Sequence, residues 1–332
     1  MSEQLVVSAA PHVREPDSIR KIMWTVAAAL APAALAGMLF FGTRALWVIG
    51  LSVLSAELVE LACLAARGRP WTDALDGSAF VTGLLLAMIL PVSVPWYVPV
   101  VGALLGIAVV KHCFGGLGHN IWNPALAGRI FVQFAYPQEI NLSAWPKPVF
   151  AFGGLGGPVA TTQASPLFKG ASLEGVQSYL DLFLGSGIPG SLGETCKVLL
   201  LAGGVFLIVC RYVDWRVPVF YIGTVFALSA VLPQKAGSPP WLQDPVYQIL
   251  SGGLFLGAFF MATDMVTSPI TKTGRVIFAV GCGLVTTLIR FYGGYPEGVA
   301  YSIFFMNTTV PLIDRWTRPS VFGSKTLSEQ AG

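Results

Sequence analysis

Three sets of side chains in this 332-residue sequence have types and spacings suited to chemistry. The first is a run of hydroxyls, Thr161, Thr162 and Ser165, just ahead of Pro166 in Val159-Ala-Thr-Thr-Gln-Ala-Ser-Pro-Leu167. Such hydroxyls are places where a prosthetic group can be attached, although the same composition describes a turn-rich surface loop. The second is a pair of amides, Asn120 and Asn123, in Phe114-Gly-Gly-Leu-Gly-His-Asn-Ile-Trp-Asn-Pro124. Amides at the end of a short helix suit a ligand with a flat, hydrogen-bonding edge, or they simply cap the helix. The third is a set of acids beside or within apolar runs: Asp76, Asp264 and Asp314, with Glu57 and Glu60. Acids there face the protein interior or an aqueous cavity, where they serve ion passage or act as caps and salt-bridge partners. Glu57 and Glu60 are three residues apart, so they share a helix face and are expected to pair with Arg44 or a neighbouring helix.

The elements that position these residues are membrane helices. Charged residues make up 11% of the chain, against about 25% in soluble proteins. A soluble domain of this size needs far more polar surface. The five cysteines form no CxxC pair, which argues against an iron–sulfur cluster bound by this chain alone. Three histidines, one of them (His12) in the polar N-terminus, leave almost no candidates for a bis-histidine haem. A net charge of +3 says little about nucleic acid, and no nucleic-acid partner is expected. Residues 1–21 mix acids and bases and make a poor signal peptide, so the first apolar run is expected to remain as a span.

Apolar runs predict ten spans in an all-α polytopic fold: Ile22–Phe41, Ala45–Ala66, Gly77–Val94, Tyr97–Val110, Ala125–Ala135, Val198–Cys210, Val217–Leu232, Ile249–Thr263, Val276–Ile289 and Val299–Ile313. With the N-terminus in the cytoplasm, fourteen Lys and Arg fall on the cytoplasmic side, Arg129 among them, and six outside. That bias supports both termini inside and a bacterial inner-membrane setting. The chain then divides into a cytoplasmic N-terminus (1–21), five helices (22–135), an extracytoplasmic loop (136–197), five more helices (198–313) and a cytoplasmic C-terminus (314–332). Thr82-Gly-Leu-Leu-Leu-Ala-Met-Ile-Leu-Pro91 resembles Leu256-Gly-Ala-Phe-Phe-Met-Ala-Thr-Asp264, and double glycines follow at Gly115-Gly116 and Gly293-Gly294. An odd number of spans per half puts the second half upside down, the inverted-repeat plan with short broken helices at the site. Solute channels and permeases share that plan and form the rival reading, with no cofactor.

Strings along nearly the whole chain resemble one family: the D subunit of the Rnf electron-transport complex and the related B subunit of the sodium-pumping NADH:quinone reductase. They are Ser8–Arg14, Lys111–Ala127, Gly190–Thr195, Asp214–Pro218, Gly257–Asp264, Gly293–Gly298 and Asn307–Asp314. The length favours the Rnf D type. The resemblance implies a subunit of a redox-driven ion pump that couples electron transfer between NADH and ferredoxin to Na⁺ or H⁺ movement, not catalytic alone. It implies covalent FMN, joined through its phosphate to the loop. The family's Asp-x-x-Ser/Thr-Gly-Ala-Thr-Pro-Leu pattern sets Ser165 at the acceptor position and Thr162 at the Ser/Thr, with Val159 and Gln163 departing from it. It also implies a non-covalent flavin, riboflavin in type, beside Asn120 and Asn123. The implied partners are the other subunits of the complex, including a neighbour with its own covalent FMN, and the lipid bilayer. Asp76, Asp264 and Asp314 are the candidates for the ion path.

Overall fold

The computed structural model describes residues 17–140, 145–146, 162–163, 167, 179–185, 190–233, 243–295 and 297–319. The regular elements among the described residues are helical apart from one pair of two-residue antiparallel strands, β1 (Trp145–Pro146) and β2 (Thr162–Gln163). The chain opens with α1 (Ile19–Phe41), whose first turn is capped by the Ser18 hydroxyl accepting from Lys21 N, and α2 (Thr43–Ala66). A 3₁₀ turn (Trp71–Asp76) leads into α3 (Ser78–Ile89), which stops before Pro91. Next come α4 (Tyr97–Leu104), extended by wider π-helical turns over Leu105–His112, and α5 (Pro124–Ala135).

After the strands, short helices α6 (Tyr179–Leu184) and α7 (Leu192–Thr195) precede α8 (Lys197–Val209) and α9 (Arg216–Val231). The apolar run expected over Ile249–Thr263 is two pieces. Helix α10 (Pro245–Leu250) ends at Ser251, and α11 (Leu254–Leu256) continues as π-helical turns over Gly257–Met261. Between them Gly252 has φ +69°, a left-handed conformation that costs a side-chain-bearing residue strain. The chain closes with α12 (Lys272–Tyr292) and α13 (Val299–Trp316).

By length and apolarity α1, α2 and α12 are able to cross a membrane, while α3, α4, α8 and α9 are shorter apolar helices. A 12-residue helix such as α3 rises about 18 Å, short of a hydrocarbon core of about 30 Å. Its uncovered ends must therefore be met by neighbouring protein. Helix α2 packs on α3 and α4, and α4 on α5; α9 packs on α12, and α12 on α13. Helix α1 lies against α8 and joins the two sets. Within the second set, Tyr221 of α9 bridges Thr286 of α12 and Ser302 of α13 through 2.8 Å hydrogen bonds, polar glue in an apolar interior.

The α1–α8 crossing depends on Gly203. A Cβ there would lie 2.3 Å from the Ala29 carbonyl oxygen and 3.2 Å from Phe260 Cζ. Gly203→Leu is expected to destabilise by roughly 1–3 kcal/mol or more, because the obstacle is backbone. Gly50→Ala in α2 has open space around it and is the neutral control. Thermal unfolding midpoints in detergent compare the two.

Candidate functional sites at the two ends of the bundle

One cleft is framed by the start of α1, α3, the turn before α5 and the turn after Met261. Its polar wall carries Ser78, Lys111, Asn120, Asn123 and Asp264; Val81, Leu85, Phe259 and Phe260 form its apolar wall. Asn123 reaches this place by capping α5. Its Oδ1 accepts from Ala125 N (3.1 Å) and Leu126 N (3.4 Å), and Pro124 takes the first helical position, where a missing N–H costs nothing. Asn120 Nδ2 donates to the Trp122 carbonyl, 3.1 Å away. Trp122 is pinned in turn by Thr308 (2.9 Å) and by stacking on Phe304.

Asn307, buried on α13, holds the cleft's two turns together. With its amide oriented by the hydrogen-bond network, its nitrogen donates to Thr267 O and Ile303 O, and its oxygen accepts from Asn123 N, each at 3.2 Å. Asp264 Oδ2 accepts from Thr267 Oγ1 at 3.0 Å and shapes the same turn. These bonds leave Asn120 Oδ1 and Asn123 Nδ2 without a partner among the described residues. One acceptor and one donor beside apolar and aromatic walls fit the edge of a flat heterocycle such as a flavin ring. Among the described residues no group of three or more His, Cys, Asp and Glu is placed to hold a metal ion.

The three aspartates do not share one cavity. Asp264 lines the cleft. Asp76 reaches it through Ser78, whose N and Oγ donate to Asp76 Oδ1 at 2.7 and 2.6 Å. Asp314 lies in a separate hollow with Thr271, Arg315 and Arg318, and accepts from Ile270 N at 3.0 Å. Glu60 pairs with a neighbouring helix, not with Arg44. Its Oε2 is 2.8 Å from Lys111 Nζ and 3.0 Å from His112 Nε2, and Lys111 also donates to Ser78. Glu57 forms none of these bonds. At the same end, Asp214 clamps Arg216 (3.1 Å) and Arg275 (2.9 Å), tying the loop before α9 to α12. Burial pushes the Asp214 carboxyl up, but the Arg216 backbone N–H and the two guanidiniums outweigh it and hold it below the usual carboxylate range. That contribution to stability is present above the ordinary range and lost as pH falls through the lowered value.

The second site lies at the far end of α13 from Asp314. Arg129 of α5 faces Glu297 at 3.5 Å, and Glu297 Oε1 accepts from Gly253 N at 2.9 Å. Arg290 of α12 donates to the carbonyls of Gln248 (2.6 Å) and Ser251 (3.1 Å), satisfying backbone freed by the break between α10 and α11. Lys197 donates to the Glu194 carbonyl at 2.6 Å, and Ser191 donates to the Glu194 carboxylate at 2.8 Å. Arg129 is 3% exposed. Counting it among cytoplasmic loop cations is therefore corrected: it is a buried partner of a turn at the opposite end. Leu167, from the hydroxyl-bearing loop, is buried against Gly252. Thr162 pairs with Pro146 in the strand pair, and Ser165 lies outside the described residues.

A sequence model of the NQR2, RnfD, RnfE family matches residues 6–323. The chain belongs to this family. It is 44% identical to the D subunit of the proton-translocating ferredoxin:NAD(+) oxidoreductase complex of Clostridium ljungdahlii, over 96% of both chains. It is 41% identical to the D subunit of the Na(+)-translocating complex of Acetobacterium woodii, over 98% of both. The D subunit of an ion-translocating oxidoreductase complex of Stutzerimonas stutzeri is 40% identical, over 92% of this chain and 93% of its own.

Removing one partner of the buried Glu60–Lys111 pair leaves an uncompensated charge. Glu60→Leu is expected to cost about 3–5 kcal/mol, and Glu60→Leu with Lys111→Met to recover a large part of it. Chemical unfolding in detergent of the wild type, both single variants and the double variant tests this. An additive double variant contradicts the pairing.

Proposed function

We propose that this chain is a flavin-bearing membrane subunit of a redox-driven ion pump that exchanges electrons between ferredoxin and NAD⁺. Family membership across residues 6–323 carries the reading, and the relatives' names supply the reaction. Flavin, when bound, supplies the electron chemistry. Ser165 is the attachment residue: its hydroxyl joins the phosphate of FMN as a phosphoester, with loss of the elements of water. Asn120 and Asn123 hold a second, non-covalent flavin of riboflavin type by its edge, and Phe259 and Phe260 exclude water from that cleft.

The chain's own carboxylates serve the ion. Asp264 offers a cation a place on the cleft wall, Asp76 acts there through Ser78, and Asp314 stands at the other end of the turn that Asp264 shapes. Relatives named for protons and for sodium are 44% and 41% identical to this chain, so similarity does not choose the ion. Ten spans in two inverted halves are supported by the pairing of α2 with α4 and of α9 with α12. They are also supported by glycine pairs that follow α4 and α12 alike. In this reading both termini lie on the cytoplasmic side of a bacterial inner membrane. The other subunits of the complex, one bearing its own covalent FMN, are the partners.

A channel or permease of the same plan would be colourless. The subunit made with its flavin transferase is expected to be heavier by one FMN less water and fluorescent after denaturation, with both properties lost in Ser165→Ala. An unmodified wild-type mass would show that Val159 and Gln163 have abolished attachment. For the ion path, Asp264→Asn is expected to lower ion transport at least tenfold per electron transferred in vesicles. An unchanged ratio removes Asp264 from the path.

A further inference from the structure

Four cations line one cavity of about 770 Å³ that the reading above does not use: Arg211, Arg216, Lys272 and Arg275. One carboxylate faces them. Asp214 meets Arg216 at 3.1 Å and Arg275 at 2.9 Å, so a single negative charge is divided between two guanidiniums. Arg211 and Lys272 are exposed and enter no ion pair among the described residues. The other acids nearby are engaged elsewhere. Asp264 follows Thr263 of the cavity wall in sequence, but it lines the amide cleft and bonds Thr267. Asp17, beside Tyr212, pairs with Lys21.

The chain runs against two local preferences at this place. Helices α9 and α12 both begin at the cavity, and a helix start carries partial positive charge that acids in the first turn ordinarily answer. Neither helix has an acid there; Arg216 opens α9, and Lys272 opens α12. Arg211, just past the end of α8, has φ +62°, a left-handed conformation that no other non-glycine among the described residues adopts. Glycine takes that position without strain. Places where local rules fail together are where function is expected. The same wall carries Ile208 and Val213, with Met265 and Trp215 exposed to the surroundings. We propose that this cavity binds the phosphodiester headgroup of an anionic phospholipid from the leaflet at this end of the bundle. The phosphate answers the surplus cations, and guanidinium groups suit its oxygens in charge and geometry. Basic pockets between spans seat such headgroups. Apolar side chains and an interfacial tryptophan beside the cations suit a lipid better than a free phosphate ion. The bound headgroup joins the Arg211 turn to the start of α12, next to the tie that Asp214 already makes. The site needs no flavin and stands apart from the flavin reading.

Native mass spectrometry of the delipidated, detergent-purified complex tests the site, with phosphatidylglycerol, phosphatidylcholine or inorganic phosphate added. The wild type is expected to retain at least tenfold more phosphatidylglycerol than phosphatidylcholine. Arg211→Gly with Lys272→Gln is expected to lower phosphatidylglycerol retention at least fivefold. Glycine relieves the left-handed strain, so the lipid-free unfolding midpoint of this variant is expected at or above that of the wild type. Arg44→Gln removes an exposed cation outside the cavity and is expected to change nothing. Equal retention in the wild type and the double variant overturns the proposal. So does equal retention of the two lipids, or a loss in Arg44→Gln as large as in the double variant, which would mean general surface charge. Displacement of phosphatidylglycerol by millimolar inorganic phosphate would make this a free-anion site and also overturns it. Where the double variant does not assemble, Lys272→Gln alone is expected to lower retention severalfold, and unchanged retention counts against the site.

Discussion

Backbone polar groups in an apolar interior must find partners, and in this chain they must find them at interrupted helices. Asn307 meets the requirement at one end by bonding Asn123 N and Thr267 O at once. Arg290 meets it at the other by taking the carbonyls of Gln248 and Ser251. Each device joins segments from distant parts of the sequence. Each also leaves polar atoms over: the amide atoms of Asn120 and Asn123 not used in their turn, and the buried guanidinium nitrogens Arg129 Nη1 and Arg290 Nε, without a hydrogen-bond partner among the described residues. The sites are thus by-products of the same constraint that holds the broken helices in place.

The two ends differ in chemistry. The Asn120–Asn123 end is a cleft with an amide edge, aromatic walls and one carboxylate, Asp264. The other end is a cluster of buried charged groups, with Arg129 paired to Glu297 and Arg290 bonded to backbone carbonyls. Helix α13 runs between them; nine residues from Gly298 to Asn307 correspond to about 14 Å. A redox pump needs electron carriers at more than one depth and carboxylates where a cation passes. The distribution of residues along α13 and its neighbours is consistent with that division of work.

Much of this is legible in the sequence because helix length and absence of charge read directly as spans. The edges of α1, α5 and α9 fall within a few residues of the expected runs. The break in the eighth run is hidden, because Leu254 to Met261 continue the apolar pattern and only Ser251-Gly252-Gly253 marks the interruption. Arg129 is misplaced by a run-based reading, which treats every cation as water-facing, and its partner Glu297 lies in the other half of the chain. The cap of α5 is readable from Asn-Pro at 123–124. That Asn307 closes the circuit is not, since a buried amide's partners are a property of the assembled fold.

The central claim, as proposed above, is that this one chain carries two flavins, one attached at Ser165 and one held beside Asn120 and Asn123. A side-chain-resolution density map of the assembled complex tests it most directly. The account predicts a flavin joined through its phosphate to Ser165, and a flavin ring edge-on to Asn120 and Asn123. A map with Ser165 unmodified and with lipid or side chains beside Asn120 and Asn123 would contradict it.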